Sequence, residues 1–349
     1  MNTPPFFEDF YHGQDLSHVP AVTITEGMTA AYQAMFGDRS RVFLDQRLSK
    51  LYSGRREMMV HPLLVGHVAI GQSTIPSQRV LGNLFYEGLV LKQPVHVGDT
   101  LITSTRVVGL KQNKPKEGRA ATGMVVLAIS VANQDGASVL DFWRCPMIPC
   151  ADPVAVTGHD DDLAGSVNEV SIEEIRSIAA YWDEPHFANL ARYEPAQIGT
   201  EQAMMIEPKD TVTSAPELVR LTLNMAMTHT DASRSVYGKR LVYGGHTISI
   251  AGSQLARGVP NLVTILSWVK CDHVGPVFEE DLLSSQVLCL EEQPLDHGSL
   301  VKLHLETFAE RGPQAPESAD NGKVLDWVFW AYLASAPTPI ANARSTTHD

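Results

Sequence analysis

PVHVGDTL, from Pro94 to Leu101, returns as PVFEEDLL from Pro276 to Leu283, an offset of 182 positions. A single match of this length carries little, but three others share nearly the same spacing. GRR from Gly54 matches GKR from Gly238 at an offset of 184, VLDFW from Val139 matches VLDWV from Val324 at 185, and Asp45 in FLD matches Asp231 in HTD at 186. Four matches in one order at nearly one offset mark a duplicated module.

Both copies follow one grammar. A segment with helical spacing opens each, EGMTAAYQAMF in the first and APELVRLTLNMAM in the second. An apolar helix comes next, VGHVAIGQS or HTISIAGSQLA. Long alternating strands close each copy: TLITSTRVVGL and ATGMVVLAISVANQDGASVLDFWRCPMI, then LLSSQVLCL and SLVKLHLETFAE, with NQDG as a hairpin turn. One helix followed by a meander of strands predicts a central helix wrapped by an antiparallel sheet, an α+β hotdog module, and two copies predict a double hotdog. The expected division is residues 1–150 for the first module, 151–190 for an acidic and helical connector, 191–335 for the second module and 336–349 for a loose tail. Within the connector, SIEE from Ser171 reads as a helix cap.

Composition narrows the functional classes. The 349 residues, 44% hydrophobic, suffice for two cores. A formal charge of -13, from 27 basic and 40 acidic side chains, argues against broad attraction to nucleic acid or an anionic membrane. Cys145, Cys150, Cys271 and Cys289 form no CxxC or CxxH pair, so neither a zinc site nor a disulfide framework is expected. The opening MNTPPFFEDFYHG lacks the pattern of a signal peptide and no run has the length of a membrane span, which predicts a soluble cytoplasmic protein. Exposed sheet edges or faces predict a homodimer. Dinucleotide, P-loop and nucleophile-elbow motifs are absent.

Several stretches then combine. NMAMTHTD from Asn224, GKRLVYGGHTISIA from Gly238 and DHVGPVFEEDLL from Asp272 resemble the second half of the mesaconyl-CoA hydratase (beta-methylmalyl-CoA dehydratase) branch of the MaoC-like hydratases. FEDFYHGQ, YQAMFGDR, PVHVGDTLITSTRVVGLKQN and VLDFWR resemble its first half, so the likeness spans nearly the whole chain. It implies a double hotdog that adds water reversibly to a 2-enoyl-CoA thioester, with coenzyme A entering as part of the substrate and no separate cofactor. The wider group carries a D-x-N-P-x-H pattern. Here His229 matches its histidine, but Asn224 replaces the aspartate, and Ala226 and Met227 replace the Asn and Pro.

Hydration needs a base for water, an acid for the α carbon and donors for the enolate oxygen. His229 is the candidate for the proton work, with Asp231 or Asn224 to orient it. Tyr243, Gly244, Gly245 and His246 precede a helix, whose first amides are unpaired, so the N–H of Gly245 or His246 is the expected oxyanion donor. Aligning Gly54 with Gly238 sets His61 opposite Gly245 and Pro62 opposite His246, which leaves the first copy without that donor. Arg234, Lys239 and Arg240 are the expected phosphate contacts for coenzyme A. Asp38 and His67 read as structural. His229 and Asp231 could give a metal two ligands, but no third is identifiable, so no metal is expected. The rival readings are a thioesterase, which would want a carboxylate on the central helix, and a non-catalytic acyl-CoA-binding protein.

Overall fold

The computed structural model describes residues 3–115, 118–163, 167, 170–190 and 193–336. The first half supplies strands β1 (Val22–Thr23), β2 (Gly82–Leu91), β3 (Thr100–Gln112), β4 (Thr122–Ala132) and β5 (Ser138–Pro149). The second supplies β6 (Met204–Thr211), β7 (Leu262–His273), β8 (Leu282–Pro294), β9 (Gly298–Glu310) and β10 (Gly322–Ala334). They join in one sheet in the order β1-β3-β4-β5-β2-β7-β10-β9-β8-β6. Exchanging each strand with the one five places on reverses this list, so the duplication read from sequence is also a symmetry of the sheet. The halves meet where β2 pairs antiparallel with β7, Leu89 opposite Trp268 and Glu87 opposite Lys270.

The sheet wraps two helices, α3 (Pro62–Gln72) and α7 (Gly244–Gly258), numbered after α1 (Glu26–Phe36) and α2 (Gln46–Ser53) and with α4 (Ile172–Ala179), α5 (His186–Leu190) and α6 (Ala215–Leu221) between them. Every residue of α3 is buried, as are Gly245 to Ala256 of α7. A helix apolar all round must be enclosed, which explains why α3 shows no amphipathic stripe, whereas α7 buries its polar side chains, Ser249 and Gln254 among them, in hydrogen bonds. The two touch: Ser249 Oγ lies 2.8 Å from His67 Nε2 and accepts from the Tyr32 hydroxyl at 3.1 Å. Burial along β3 alternates from Leu101 to Val107, as a strand with one face on the core requires. This is the α+β double hotdog.

Local hydrogen bonds repeat between the halves and align them residue by residue. The Val60 N–H donates to Val95 O as Val242 does to Val277 O. Phe43 donates to Ser40 O as His229 does to Ala226 O. Asp99 accepts from the His96 amide as Asp281 does from that of Phe278. These pairs correct the alignment anchored on Gly54: His61 stands opposite Tyr243, Pro62 opposite Gly244, and Phe43 opposite His229. The loop after the histidine position is four residues shorter in the second half, which a single anchor inside it cannot register.

Helix α6 is also shorter than its sequence pattern predicts. Helical spacing runs through Met227, yet α6 ends at Leu221, with Leu223 in the left-handed region at φ +56°. The Asn224 amide reaches back to Val219 O at 2.9 Å, a Schellman closure with leucine in the usual glycine position. The connector helix starts where SIEE predicts, the Ser171 hydroxyl accepting from the Glu174 amide. The tail beyond residue 336 lies outside the described residues.

Candidate active site

The closure of α6 delivers the histidine. Asn224, buried, accepts the Ala226 amide on Oδ1 at 2.9 Å, an Asx turn that redirects the chain. A 3-10 turn over Met227–His229 follows. The first half straps the segment down, Thr74 Oγ1 accepting the Met225 amide at 2.8 Å and Gln78 O accepting that of Met227 at 2.9 Å. His229 Nδ1 donates to the Leu241 carbonyl at 2.8 Å, since a carbonyl oxygen can only accept. The tautomer is thereby set, and Nε2 carries the lone pair.

His229 lines a cavity of about 220 Å³ together with Asn224, Tyr243, Gly244 and His273 from the second half and Tyr86 and Arg144 from the first. Among the described residues, no Asp or Glu lines it. Burial pushes the His229 pKa down to about 4, opposed in part by the Leu241 carbonyl, and burial likewise takes His273 to about 4. Both are therefore neutral at pH 7. The imidazole of His229 sits against the Tyr243 ring at 5.5 Å between centroids.

The glycine pair serves close packing. A Cβ on Gly244 would fall 2.3 Å from His273 Nε2, and one on Gly245 would fall 2.6 Å from the Tyr243 ring and 2.8 Å from His67 Nδ1. Only glycine lets α7 start this near both histidines. The His246 amide is bound to the Tyr243 carbonyl at 2.8 Å, which leaves the amides of Gly244 and Gly245 as the unpaired N–H groups of the first turn.

Two expected site residues are placed elsewhere. Asp231 is exposed and caps the turn Ala232–Arg234, accepting from the Ser233 amide at 2.9 Å and hydroxyl at 2.7 Å. It repeats the work of Asp45, which caps α2 by accepting the Arg47 amide, so the match between them reflects a shared cap. His246 points away from the cavity, its Nε2 donating to Thr213 O at 2.6 Å, and it lines a separate cavity beside Phe36 and Asp210. Neither orients His229 or meets a ligand beside it. Arg234, Lys239 and Arg240 are exposed on the loop that brings Tyr237 and Leu241 to the cavity, and Arg234 lies 3.9 Å from Asp231.

Sequence reasoning missed Arg144, His273 and Tyr86. Arg144 had a readable signal, because it falls in phase with the inward-facing Leu140 and Phe142 of β5, where a charge is unexpected. Asp38, read as a turn carboxylate, is buried and lies 3.4 Å from His61 in the first half. His304, Glu306 and Asp326 cluster on the sheet, but Lys323 Nζ occupies the space, 2.8 Å from Glu306 and 2.6 Å from Asp326. No described helix is long and apolar enough to cross a membrane.

No protein-family model matches the sequence. Among curated proteins, a mesaconyl-CoA hydratase from Cereibacter sphaeroides is 30% identical over an alignment that covers 95% of this chain and 98% of that protein. A beta-methylmalyl-CoA dehydratase from Chloroflexus aurantiacus is 31% identical over an alignment that covers 81% of each chain. A solved structure described as a putative MaoC domain dehydratase, also from Chloroflexus aurantiacus, aligns at TM-score 0.78 and 25% identity over 96% of this chain and 99% of that one. The chain belongs to the MaoC-like dehydratases, in the mesaconyl-CoA hydratase branch. A conserved hypothetical protein of Mycobacterium tuberculosis, described as having a double hotdog fold, aligns at TM-score 0.84 and 39% identity over 94% of this chain and 98% of that one. In this MaoC-like dehydratase the two halves differ at the cavity: where the second has His229 and Gly244, the first has Phe43 and Pro62, neither of which offers a base or a free amide.

Proposed function

We propose that this protein adds water reversibly across the double bond of a short 2-enoyl-CoA thioester, with mesaconyl-CoA and beta-methylmalyl-CoA as the first candidates. Hydratase or dehydratase chemistry on CoA thioesters is what its named relatives share. The observation that carries the reading is His229: Nδ1 is tied to a carbonyl, and Nε2 serves a cavity that holds no carboxylate among the described residues.

In the hydration direction, Nε2 takes a proton from water as the oxygen bonds to the β carbon. The thioester carbonyl becomes an enolate, received by the free amides at the start of α7. The imidazolium then returns the proton to the α carbon, so one group does both transfers and is neutral again at the end. Asn224 cannot exchange protons. With Oδ1 held by Ala226, its amide NH2 is left between the Tyr243 hydroxyl and the cavity, where it can hold the water. Lys239, Arg240 and Arg234, exposed on the loop that leads to the cavity, suit the phosphates of coenzyme A.

The thioesterase alternative needs a carboxylate or nucleophile beside the thioester carbonyl, and neither α7 nor the cavity supplies a carboxylate. The test is the loss of enoyl-thioester absorbance with mesaconyl-CoA and crotonyl-CoA, comparing wild type with His229→Ala. Hydration that falls at least about a thousandfold in the variant is expected. Release of free thiol by the wild type, without loss of the double bond, refutes the reading.

A further inference from the structure

Arg144 is a buried cation without an anion. It is 2% exposed in the middle of β5, and Nη2 donates to Ser73 O at 2.7 Å and to the Ser77 hydroxyl. Its Nε has no hydrogen-bond partner, and no Asp or Glu among the described residues is a charge partner of it. Its electrostatic neighbours are the phenol of Tyr86, within hydrogen-bonding reach of the guanidinium, and that of Tyr243. The Tyr243 hydroxyl is itself buried; its polar neighbour is the Asn224 side chain, which stands outside good hydrogen-bond geometry. Both groups line the cavity of His229.

The fold does not require this charge. VLDFWR from Val139 and VLDWVF from Val324 place Phe329 of β10 at the position of Arg144, and Phe329 is fully buried. The same sheet position is thus satisfied by an aromatic ring in one half. In the other half a guanidinium is desolvated with a donor left open, an arrangement that destabilises the empty protein unless a ligand supplies the anion. Arg144 and Tyr243 both line this cavity, and a guanidinium beside a phenol makes a carboxylate receptor, because both can donate to the same anion. At about 220 Å³ the cavity suits a short acyl group and is too small to take in the adenine nucleotide of coenzyme A as well.

We infer that Arg144, with the Tyr243 hydroxyl, binds the free carboxylate of a short dicarboxylic acyl thioester while His229 works on its double bond. This deepens the hydratase reading and rests on it. The first half of the chain then supplies substrate selection to chemistry carried out by the second.

The test compares mesaconyl-CoA with tiglyl-CoA, in which a methyl group replaces the carboxylate. The readout is the ratio of the two kcat/KM values in wild type, Arg144→Gln and Arg144→Lys. The wild type should favour the dicarboxylic substrate, and the ratio should fall about a hundredfold or more in Arg144→Gln, with partial recovery in Arg144→Lys. Residual turnover of tiglyl-CoA shows that the variant is folded. Equal losses on both substrates would assign Arg144 to the thioester oxygen or to folding and overturn the inference while leaving the hydratase reading intact. If wild type hydrates neither thioester, that reading fails, and binding of the saturated counterparts 2-methylsuccinyl-CoA and 2-methylbutyryl-CoA decides the remaining question. A preference for the former that is lost in Arg144→Gln supports the carboxylate site, and no preference refutes it.

Discussion

The His229 environment predicts an acid limb in the pH profile well below that of an ordinary histidine. Burial lowers its pKa from 6.5 to about 4 because the imidazolium loses its hydration and gains no counter-ion, only the Leu241 carbonyl. A difference of that size corresponds to about 3 kcal/mol against the charged form. In the proposed mechanism the neutral imidazole is the base for hydration, so activity should be present above the folded pKa and lost as pH falls through it. At pH 5.5 a group with a pKa of 4 is ~97% neutral, whereas one at 6.5 is ~9% neutral, a tenfold difference in expected rate. The assay is the initial rate of enoyl-thioester loss at low substrate, giving kcat/KM from pH 8 to 5. Enzyme is diluted from pH 7 seconds before mixing, and circular dichroism at each pH confirms folding. A nearly flat profile down to pH 5.5 is expected. A limb centred near 6.5 with the protein still folded would refute the reasoning, because it would mean that His229 is solvated or paired with an anion.

Three further outcomes follow from the same geometry. Gly244→Ala places a Cβ 2.3 Å from His273 Nε2, so it should lower the melting temperature by the equivalent of about 1–3 kcal/mol and cut kcat/KM at least tenfold; unchanged values for both would show that the contact relaxes freely. Asp231→Asn, at an exposed cap, should leave kcat/KM within about threefold of wild type, and a loss comparable to that of His229→Ala would return Asp231 to the site. His67, held down to about 3, and His246, at about 4, are buried, and His229 and His273, each at about 4, are partly buried; desolvation keeps all four neutral at pH 7. Below pH 6.5 the unfolded chain takes up protons that the folded one refuses, so stability is full above that value and falls by up to about 1.4 kcal/mol per histidine for each pH unit toward 4. Thermal melts between pH 7 and 5 measure this, and a flat melting temperature would contradict it.

The sequence carried the duplication, and with it the fold, because repeated backbone duties keep their residues: Asp99 and Asp281 each accept the amide three residues back, and Asp45 and Asp231 each cap a turn. It also picked out His229 and the Gly244–Gly245 pair, whose residue types have few other uses in that order. Strands β2 and β7 were not legible as strands. GNLFYEGLVL and LVTILSWVKCDH show no clean alternation, since successive residues are buried on both faces at Gly88–Val90 and Leu262–Trp268.

The partners of those residues belonged to the tertiary structure alone. Asp231 stands two residues from His229 yet turns outward, because a 3-10 turn spends its carboxylate on Ser233. Arg144 lies 85 positions before His229 and reaches the same cavity because β5 pairs with β2 and β2 with β7. Neighbourhood along the chain is set by covalent geometry, which a sequence displays. Neighbourhood across a sheet is set by strand order and register, which emerge only when the two halves close on one another.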